Sequence, residues 1–195
     1  MFKKVQFVKS VYNLKDLPPP DFPEIVFLGR SNVGKSSLIN AFLNRKKVAK
    51  ISSTPGFTKS INLFLVNSSF YLVDLPGYGF AKAPQKLIQR WPSLIEEYLT
   101  LPRNIKVLIL IFDLRRIPDE LDLTLIKFVN YLKKFYIVVF NKIDTLATSK
   151  IETQKNKFIE TLKLPPDLPI FLTSCKTKEG IKKLRNFILS KVEKD

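Results

Sequence analysis

The glycine-rich segment 29–36, with the pattern G-x-x-x-x-G-K-S, constrains the fold of this chain more than any other feature. It follows an apolar run of strand length, 25–28, and a segment with helical periodicity begins at Lys35. This order predicts a phosphate-binding loop, because Gly29 and Gly34 permit tight turns and the loop N–H groups at a helix N-terminus attract phosphate. Lys35 would bind the β- and γ-phosphates, and the Ser36 hydroxyl would bind Mg2+. A strand–helix turn that binds no ligand is the alternative at this stage.

The charge balance indicates a polyanionic partner. The chain has 195 residues, with 33 Lys and Arg against 17 Asp and Glu, and a formal net charge of +16. Its length predicts a single domain, 1–195. The excess positive charge favours attraction to RNA, DNA or an anionic membrane, and composition alone does not choose among them.

Two absences exclude whole classes of chemistry. The chain has no histidine, which rules out a histidine base or imidazole metal ligand, and Cys175 as its one cysteine rules out an intrachain disulfide. Apolar runs such as 107–112 are too short to span a bilayer, and the N-terminus lacks a signal-peptide core. We therefore expect a cytoplasmic protein without a membrane-spanning segment.

The hydrophobic pattern predicts an α/β fold with a mostly parallel sheet covered by helices on both faces. Only three residues separate segments 61–66 and 70–74, so these two strands form an antiparallel hairpin. Residues 1–21 hint at a further short strand, end in a proline-rich connector and are expected to pack on the domain as an extension. Six strands are predicted near 24–29, 61–66, 70–74, 106–112, 135–140 and 169–173, and five helices near 35–44, 85–99, 119–133, 149–163 and 179–193. The irregular stretches 45–60 and 75–85 are interpreted as switches beside the phosphate loop.

Three further motifs follow predicted strands. Asp74-Leu75-Pro76-Gly77 has the D-x-x-G pattern, in which the aspartate can hold Mg2+ through water and the glycine N–H can reach a γ-phosphate. In Asn141-Lys142-Ile143-Asp144, the carboxylate can accept the N1–H and the exocyclic amine of guanine, a pair that adenine does not offer. Asn141 would brace neighbouring loops, and the stem of Lys142 would lie over the base.

Thr173-Ser174-Cys175-Lys176 comes after the last strand, where a main-chain N–H could meet the guanine O6. Each motif alone is also compatible with an ordinary turn. Together they stand in the right order at the carboxyl ends of strands, where open parallel sheets bind ligands. The sequence therefore predicts guanine-nucleotide binding.

The chain resembles the EngB (YsxC/YihA) GTPases of the TrmE-Era-EngA-EngB-septin group over nearly its whole length. The segments that carry the resemblance are 23–40, Thr54-Pro55-Gly56 with Thr58, 74–81, Trp91, 97–99 and Asp113-Leu114-Arg115. It implies a Ras-like, three-layer P-loop GTPase fold, and a GTPase that assists assembly of the large ribosomal subunit and takes part in cell division and septation. Two departures from the family pattern are Phe57, where a basic residue is more usual, and Cys175, where a small residue is usual.

The combined prediction assigns residues to the site. Lys35, Asn32, Thr58 and Gly77 would act in catalysis, and Ser36, Thr58 and Asp74 would hold Mg2+. Spacing leaves Thr54 and Thr58 as rival switch threonines, and the resemblance favours Thr58. The nucleotide-binding set is Gly29, Arg30, Ser31, Asn32, Val33, Gly34, Lys35, Ser36, Ser37, Gly56, Phe57, Thr58, Lys59, Ser60, Asp74, Leu75, Pro76, Gly77, Asn141, Lys142, Ile143, Asp144, Thr173, Ser174, Cys175 and Lys176.

Hydrolysis is predicted to be slow. Tyr78 occupies the position after D-x-x-G where a glutamine often positions the attacking water, and it is better suited to anchor the loop. Asn32 suggests a bound K+ that would supply positive charge in the transition state, because related GTPases use an asparagine there.

Basic residues cluster near the predicted nucleotide edge, which favours ribosomal RNA as the partner. GTP and GDP are the expected ligands, and neither a membrane nor DNA is an expected partner. The protein is expected to be a monomer. The alternatives are a GTP-gated switch for a protein partner and a small nucleotide kinase. The clusters are Arg45, Lys46, Lys47, Lys50 and Lys59, then Lys82, Lys86 and Arg90, then Lys176, Lys178, Lys182, Lys183 and Arg185.

Overall fold

The computed structural model describes residues 2–45, 48, 60–79 and 93–192. Seven strands and five helices lie in these ranges. The strands are β1 (Val5–Val11), β2 (Glu24–Gly29), β3 (Ile61–Val66), β4 (Phe70–Asp74), β5 (Ile105–Asp113), β6 (Tyr136–Asn141) and β7 (Ile170–Leu172). The helices are α1 (Lys35–Leu43), α2 (Ser93–Thr100), α3 (Glu120–Tyr131), α4 (Thr148–Leu162) and α5 (Ile181–Val192).

All seven strands form one sheet in the order β1-β3-β4-β2-β5-β6-β7. Strand β3 is antiparallel to both of its neighbours, and every other pair is parallel. The carboxyl ends of β2, β4, β5, β6 and β7 therefore meet at one edge of the sheet, which we call the carboxyl edge.

The sheet separates two hydrophobic layers, and the alternation along β2 shows why. Ile25 and Phe27 pack into the layer shared with α1 and α5, whereas Val26 and Leu28 pack into the layer shared with α2, α3 and α4. All four side chains are fully buried. A strand covered on both faces is apolar at every position, which is the pattern that predicted a parallel sheet.

The predicted fold class is confirmed, and the described elements agree with the predicted ones within two residues at most ends. The sheet has seven strands rather than six because the N-terminal segment supplies β1, which pairs with β3 along its whole length. The predicted helix 85–99 is described from Ser93 onward, and its earlier part lies outside the described residues. Within the described ranges, no helix is long and apolar enough to cross a membrane.

Segments on both sides of β1 hold the N-terminal extension in place. Before the strand, the side-chain carbonyl of Asn67 accepts hydrogen bonds from the N–H groups of Lys3 and Lys4. After the strand, Arg103 donates to the carbonyl of Pro18, and Phe22 packs edge-on against Tyr71. These contacts hold the residues on both sides of β1 against the domain.

Candidate functional site

Two glycines shape the loop that joins β2 to α1. A Cβ added to Gly29 would lie 2.8 Å from the carbonyl oxygen of Ile111, so only glycine lets β2 end this close to β5. Gly34 precedes α1 with φ +94°, and its added Cβ would lie 2.5 Å from Nδ2 of Asn141. The loop thus turns tightly at the carboxyl edge, with the N-terminus of α1 directly behind it.

Lys35 and Asp74 form a buried ion pair at the centre of this edge. The Lys35 ammonium donates to a carboxylate oxygen of Asp74, and the two side chains are 7% and 3% exposed. Lys35 begins α1 and Asp74 ends β4, so the loop lysine and the D-x-x-G aspartate meet at the carboxyl edge, a contact that the sequence motifs do not predict. Burying either charge alone would be costly, and the pair offsets that cost.

The D-x-x-G segment lies against the phosphate loop. The N–H of Ser31 donates to the carbonyl of Tyr78 at 2.9 Å, and the N–H of Tyr78 donates to the carbonyl of Gly29 at 3.3 Å. Between them, Gly77 passes so close that an added Cβ would lie 3.0 Å from Oγ of Ser31. Leu75 donates its N–H to Phe27. The two predicted phosphate-binding segments are therefore joined through their main chains.

Tyr78 is a buried anchor in this structure. Its side chain is 1% exposed, and its hydroxyl donates to Oδ1 of Asp122 at 3.1 Å. Burial, reinforced by the negative charge of Asp122, raises the pKa of Tyr78 well above its ordinary value. The hydroxyl is occupied and shielded, which agrees with the anchoring role that its sequence position favours.

Arg30 connects the phosphate loop to the start of α3. Its guanidinium donates to both carboxylate oxygens of Asp119 at 2.7–2.8 Å, contacts Asp122 at 3.5 Å and lies over the Tyr78 ring. Asp119 also caps α3, accepting from the N–H groups of Leu121 and Asp122. Sequence reasoning missed both aspartates, although the D-x-x-D pattern at a helix start could have indicated a cap.

The Asn141-to-Asp144 motif follows β6 and contacts the back of the phosphate loop. Nδ2 of Asn141 donates to the carbonyl of Val33 at 3.1 Å, which confirms the predicted bracing of neighbouring loops. Asp144 is exposed, and its carboxylate accepts from the hydroxyl of Ser174 at 2.7 Å. The two segments predicted to recognise the base are therefore in direct contact. Ile143 donates its N–H to the carbonyl of Thr173.

Lys142 is held between the loop and the end of β5. Its ammonium donates to the carbonyl of Asn32 at 2.6 Å and to Asp113 at 2.9 Å. Burial opposes ionisation of Asp113, but hydrogen bonds from Arg115 and Lys142 outweigh it and lower the pKa of Asp113. Asp113 belongs to a segment that carries the family resemblance, but it was not among the residues predicted for the site.

Cys175 is not set up as a nucleophile. Its thiol donates to Oδ1 of Asn141 at 3.5 Å, and burial raises its pKa to about 11. The thiol is therefore protonated near neutral pH, which does not favour attack by its sulfur.

A cavity of ≈ 610 Å³ opens beside α1 and leads to the predicted base-recognition residues. Gly34 and Ser37 line it on the α1 side, and Asn141, Asp144 and Lys176 line it on the other. Its size suits a small-molecule ligand. The one carboxylate among its described lining residues is that of Asp144, and Arg45, Lys142, Lys176 and Lys178 supply cations.

The remaining predicted residues divide into two groups. Ser60 is described: it is buried and precedes β3, whose Asn62 pairs in register with Asp74. The residues at 54–59, including Thr54, Gly56, Phe57, Thr58 and Lys59, lie outside the described residues, as do Lys82, Lys86, Arg90 and Trp91.

Comparisons with known proteins agree with this geometry. The profile of the family described as "50S ribosome-binding GTPase" matches residues 24–142. A probable GTP-binding protein EngB of Fusobacterium nucleatum subsp. nucleatum is 40% identical over 191 residues, covering 97% of both chains. That of Petrotoga mobilis is 42% identical over 185 residues, covering 93% of this chain and 92% of the relative.

A solved structure shares the architecture. The crystal structure of a probable GTP-binding protein EngB superposes with a TM-score of 0.71 at 27% identity, covering 88% of this chain and all of the other. Fold, loop and sequence matches agree on the class, which is a P-loop GTPase that hydrolyses GTP. The relatives match almost end to end at 40% identity or more, and the chain belongs to the EngB family of GTP-binding proteins.

Proposed function

We propose that this GTPase is a nucleotide-controlled switch in assembly of the large ribosomal subunit, with ribosomal RNA in the subunit or its precursor as the partner. The match to the profile named for 50S ribosome binding is the observation that carries this proposal. The net charge of +16 supports it, because a strongly basic surface attracts a polyphosphate. Such a partner would place the protein in the cytoplasm.

We propose residue roles that follow from the positions described above. The loop 29–36 receives the phosphates, with Lys35 supplying the full charge, while Asp144 reads the guanine edge and Ser174 holds its carboxylate in place. Asn141 sets the distance between base and phosphates through its hydrogen bond to Val33. Chain 1–195 acts as one GTPase domain, and β1 is integrated into its sheet.

The chain offers suitable oxygen ligands for Mg2+. Ser36 lies in the first turn of α1, and the Asp74 carboxylate is buried close by, paired with the neighbouring Lys35. Mg2+ is commonly held by one or two protein oxygens together with substrate phosphates, so this donor set fits. When bound, Mg2+ neutralises charge that develops on the phosphates. Thr58, proposed as a third ligand, lies outside the described residues.

We propose that hydrolysis is slow unless K+ or a partner assists it. The Tyr78 hydroxyl donates to Asp122 and leaves the water-positioning role unfilled by that side chain. Asn32 is exposed at the loop tip with φ +66°, and its side chain is the proposed K+ ligand. Turnover in KCl should exceed turnover in NaCl at equal ionic strength, and Asn32→Ala should abolish the difference. Equal rates in the two salts contradict the role of K+.

The decisive experiment is co-sedimentation with large ribosomal subunits in the presence of GDP, a non-hydrolysable GTP analogue or no nucleotide. Binding that requires the analogue, and that weakens steeply with salt, supports a GTP-gated assembly factor. Lys35→Ala is the matched control, because it should remove nucleotide binding and therefore the response to the analogue.

A GTP-gated switch for a protein partner is the second candidate. It would give no subunit binding in any nucleotide state while the affinity for GTP stayed intact. A nucleotide kinase is distinguished by competition, because ATP would then compete as well as GTP for the site.

A further inference from the structure

The charged residues are distributed unequally between the two faces of the sheet. Helices α2, α3 and α4, on one face, carry six carboxylates and four lysines. On the opposite face, α5 carries four cations and no carboxylate, and the one cation of α1, Lys35, is buried in its pair with Asp74. Acidic residues are also scarce in the N-terminal part of the sequence, since neither 1–15 nor 25–73 contains an aspartate or a glutamate. We call the surface formed by α1, α5 and β1 the α1–α5 face.

Lysines on α5 project from this face into solvent. Lys182 and Lys183 are exposed, and within the described ranges no carboxylate lies within 4.0 Å of either ammonium. Glu179, in the preceding loop, is the nearest acidic residue in sequence. By contrast, Lys155 on α4 is paired with Glu152. Exposed lysines on a helix that itself carries no carboxylate give that helix surface a positive field.

Two arginines connect α5 and the end of α1 with the residues that precede β1. Arg185 donates to the carbonyls of Ala41 and Phe42 at the end of α1, at 2.8 and 2.7 Å, and its guanidinium lies over the Phe2 ring. Arg45 donates to the carbonyls of Phe2 and Lys3. Cations therefore extend from α5 through the end of α1 to residues 2–3, which precede β1.

An aromatic side chain is exposed on the same face. Phe7 of β1 is 54% exposed, and its ring lies 5.6 Å from Phe64, which belongs to the layer shared with α1 and α5. Exposed aromatic rings among cations are typical of surfaces on which nucleic-acid bases stack, whereas a phosphate backbone alone requires only charge.

We propose that the α1–α5 face binds the phosphate backbone of RNA, with Phe7 available to stack on an unpaired base. This inference rests on the proposed ribosomal function and adds the surface through which it acts. That surface lies beside the carboxyl edge, on a face of the sheet opposite the α3 helix that anchors Tyr78. RNA is favoured over a membrane because the exposed aromatic lies on a strand that is paired into the sheet, rather than on an amphipathic helix that could lie in a membrane interface.

The test compares two variants with the same change in charge. Lys182→Ala/Lys183→Ala removes two exposed lysines from α5, and Lys150→Ala/Lys157→Ala removes two exposed lysines from α4. Binding to large ribosomal subunits is measured with the GTP analogue over a series of salt concentrations. The α5 variant should bind roughly 10- to 60-fold more weakly at about 0.1 M salt, and its log–log salt slope should fall by about 1.4–1.8, as for two lost phosphate contacts. The α4 variant should change affinity less than about two-fold.

The variant Phe7→Ala tests the stacking contact separately from the charge, because it changes no charged residue. It should weaken binding while leaving the salt slope unchanged, because stacking releases no counterions. Circular dichroism and GTP affinity of all variants should match those of the unmodified chain.

The outcomes separate this proposal from the one on which it depends. If the unmodified chain does not bind subunits, the ribosomal function fails and this surface assignment fails with it. If it binds but the α5 and α4 variants weaken equally, the ribosomal function stands and the surface assignment is wrong. If the α5 variant loses binding only to vesicles containing phosphatidylserine, the face binds membranes and the RNA assignment is overturned.

Discussion

Replacing Gly34 with alanine tests the packing between the phosphate loop and the base-recognition motif. The new Cβ would lie 2.5 Å from Nδ2 of Asn141, and the backbone has φ +94°. The left-handed conformation costs a residue with a Cβ about 1–2 kcal/mol. Displacing the buried Asn141 amide from the carbonyl of Val33 costs about 1–3 kcal/mol more, because the hydrogen bond is lost. We expect Gly34→Ala to lower the free energy of unfolding by about 2–5 kcal/mol in total.

The two contributions separate in the Asn141→Ala background. There the colliding amide is absent, so Gly34→Ala should cost only the backbone term of about 1–2 kcal/mol. Urea unfolding of the four proteins without nucleotide gives the coupling energy, expected at about 1–3 kcal/mol. Identical losses in both backgrounds would refute the reasoning, since they would show that Asn141 does not oppose the new methyl group.

Three other predictions concern single side chains. Asp144→Asn should weaken guanine-nucleotide binding by about 10²–10⁴-fold, because two hydrogen bonds to a charged acceptor are worth about 1.5–3 kcal/mol each. The same variant should bind xanthine nucleotides better, because their O2 can accept a hydrogen bond from the new amide. Unchanged base selectivity in competition assays argues against this contact. Because the pKa of Tyr78 is raised, the unfolded chain loses a proton above pH about 10 that the folded chain keeps, and the free energy of unfolding falls as the pH rises. In urea titrations, Tyr78→Phe should reduce the slope of that fall by up to about 1.4 kcal/mol per pH unit. Equal slopes for the two proteins would be the contrary result. A thiol reagent at pH 8 should modify Cys175 up to about 100-fold more slowly in the folded than in the urea-unfolded protein, because its pKa is raised from 9.0 to about 11; equal rates contradict that shift.

Local sequence patterns predicted the strands, the helices and the clustering of motifs at one edge, because each depends on periodicity or on a glycine. The seventh strand was harder to predict. In β1, Phe7, Val8 and Lys9 are all exposed, so its alternation is weak, and pairing with the distant β3 holds it in place. A strand that depends on a partner more than fifty residues away leaves little local signal.

Contacts between distant segments also account for the site residues that the sequence did not predict. The contacts of Arg30 with Asp119 and Asp122 join residues about ninety positions apart, and no spacing rule connects them. Tyr78 could be recognised as a poor water-positioning group from its chemistry, but its hydrogen-bond partner emerges only when α3 packs on the sheet. The sequence motifs therefore predict the kind of site, whereas the contacts that hold the motifs in place depend on how the elements pack together.

The buried pair of Lys35 and Asp74 has a consequence for the order of ligand binding. In the roles proposed above, a phosphate and a divalent cation each need one member of this pair, so either ligand arriving alone would leave the other member buried without its counter-charge. When both arrive, every charge is matched again. Nucleotide and Mg2+ should therefore bind with positive thermodynamic coupling, and by reciprocity removal of the metal should lower the affinity for the nucleotide. The folded protein would therefore bind the nucleotide or Mg2+ weakly when either is present alone, and bind both tightly when they are present together.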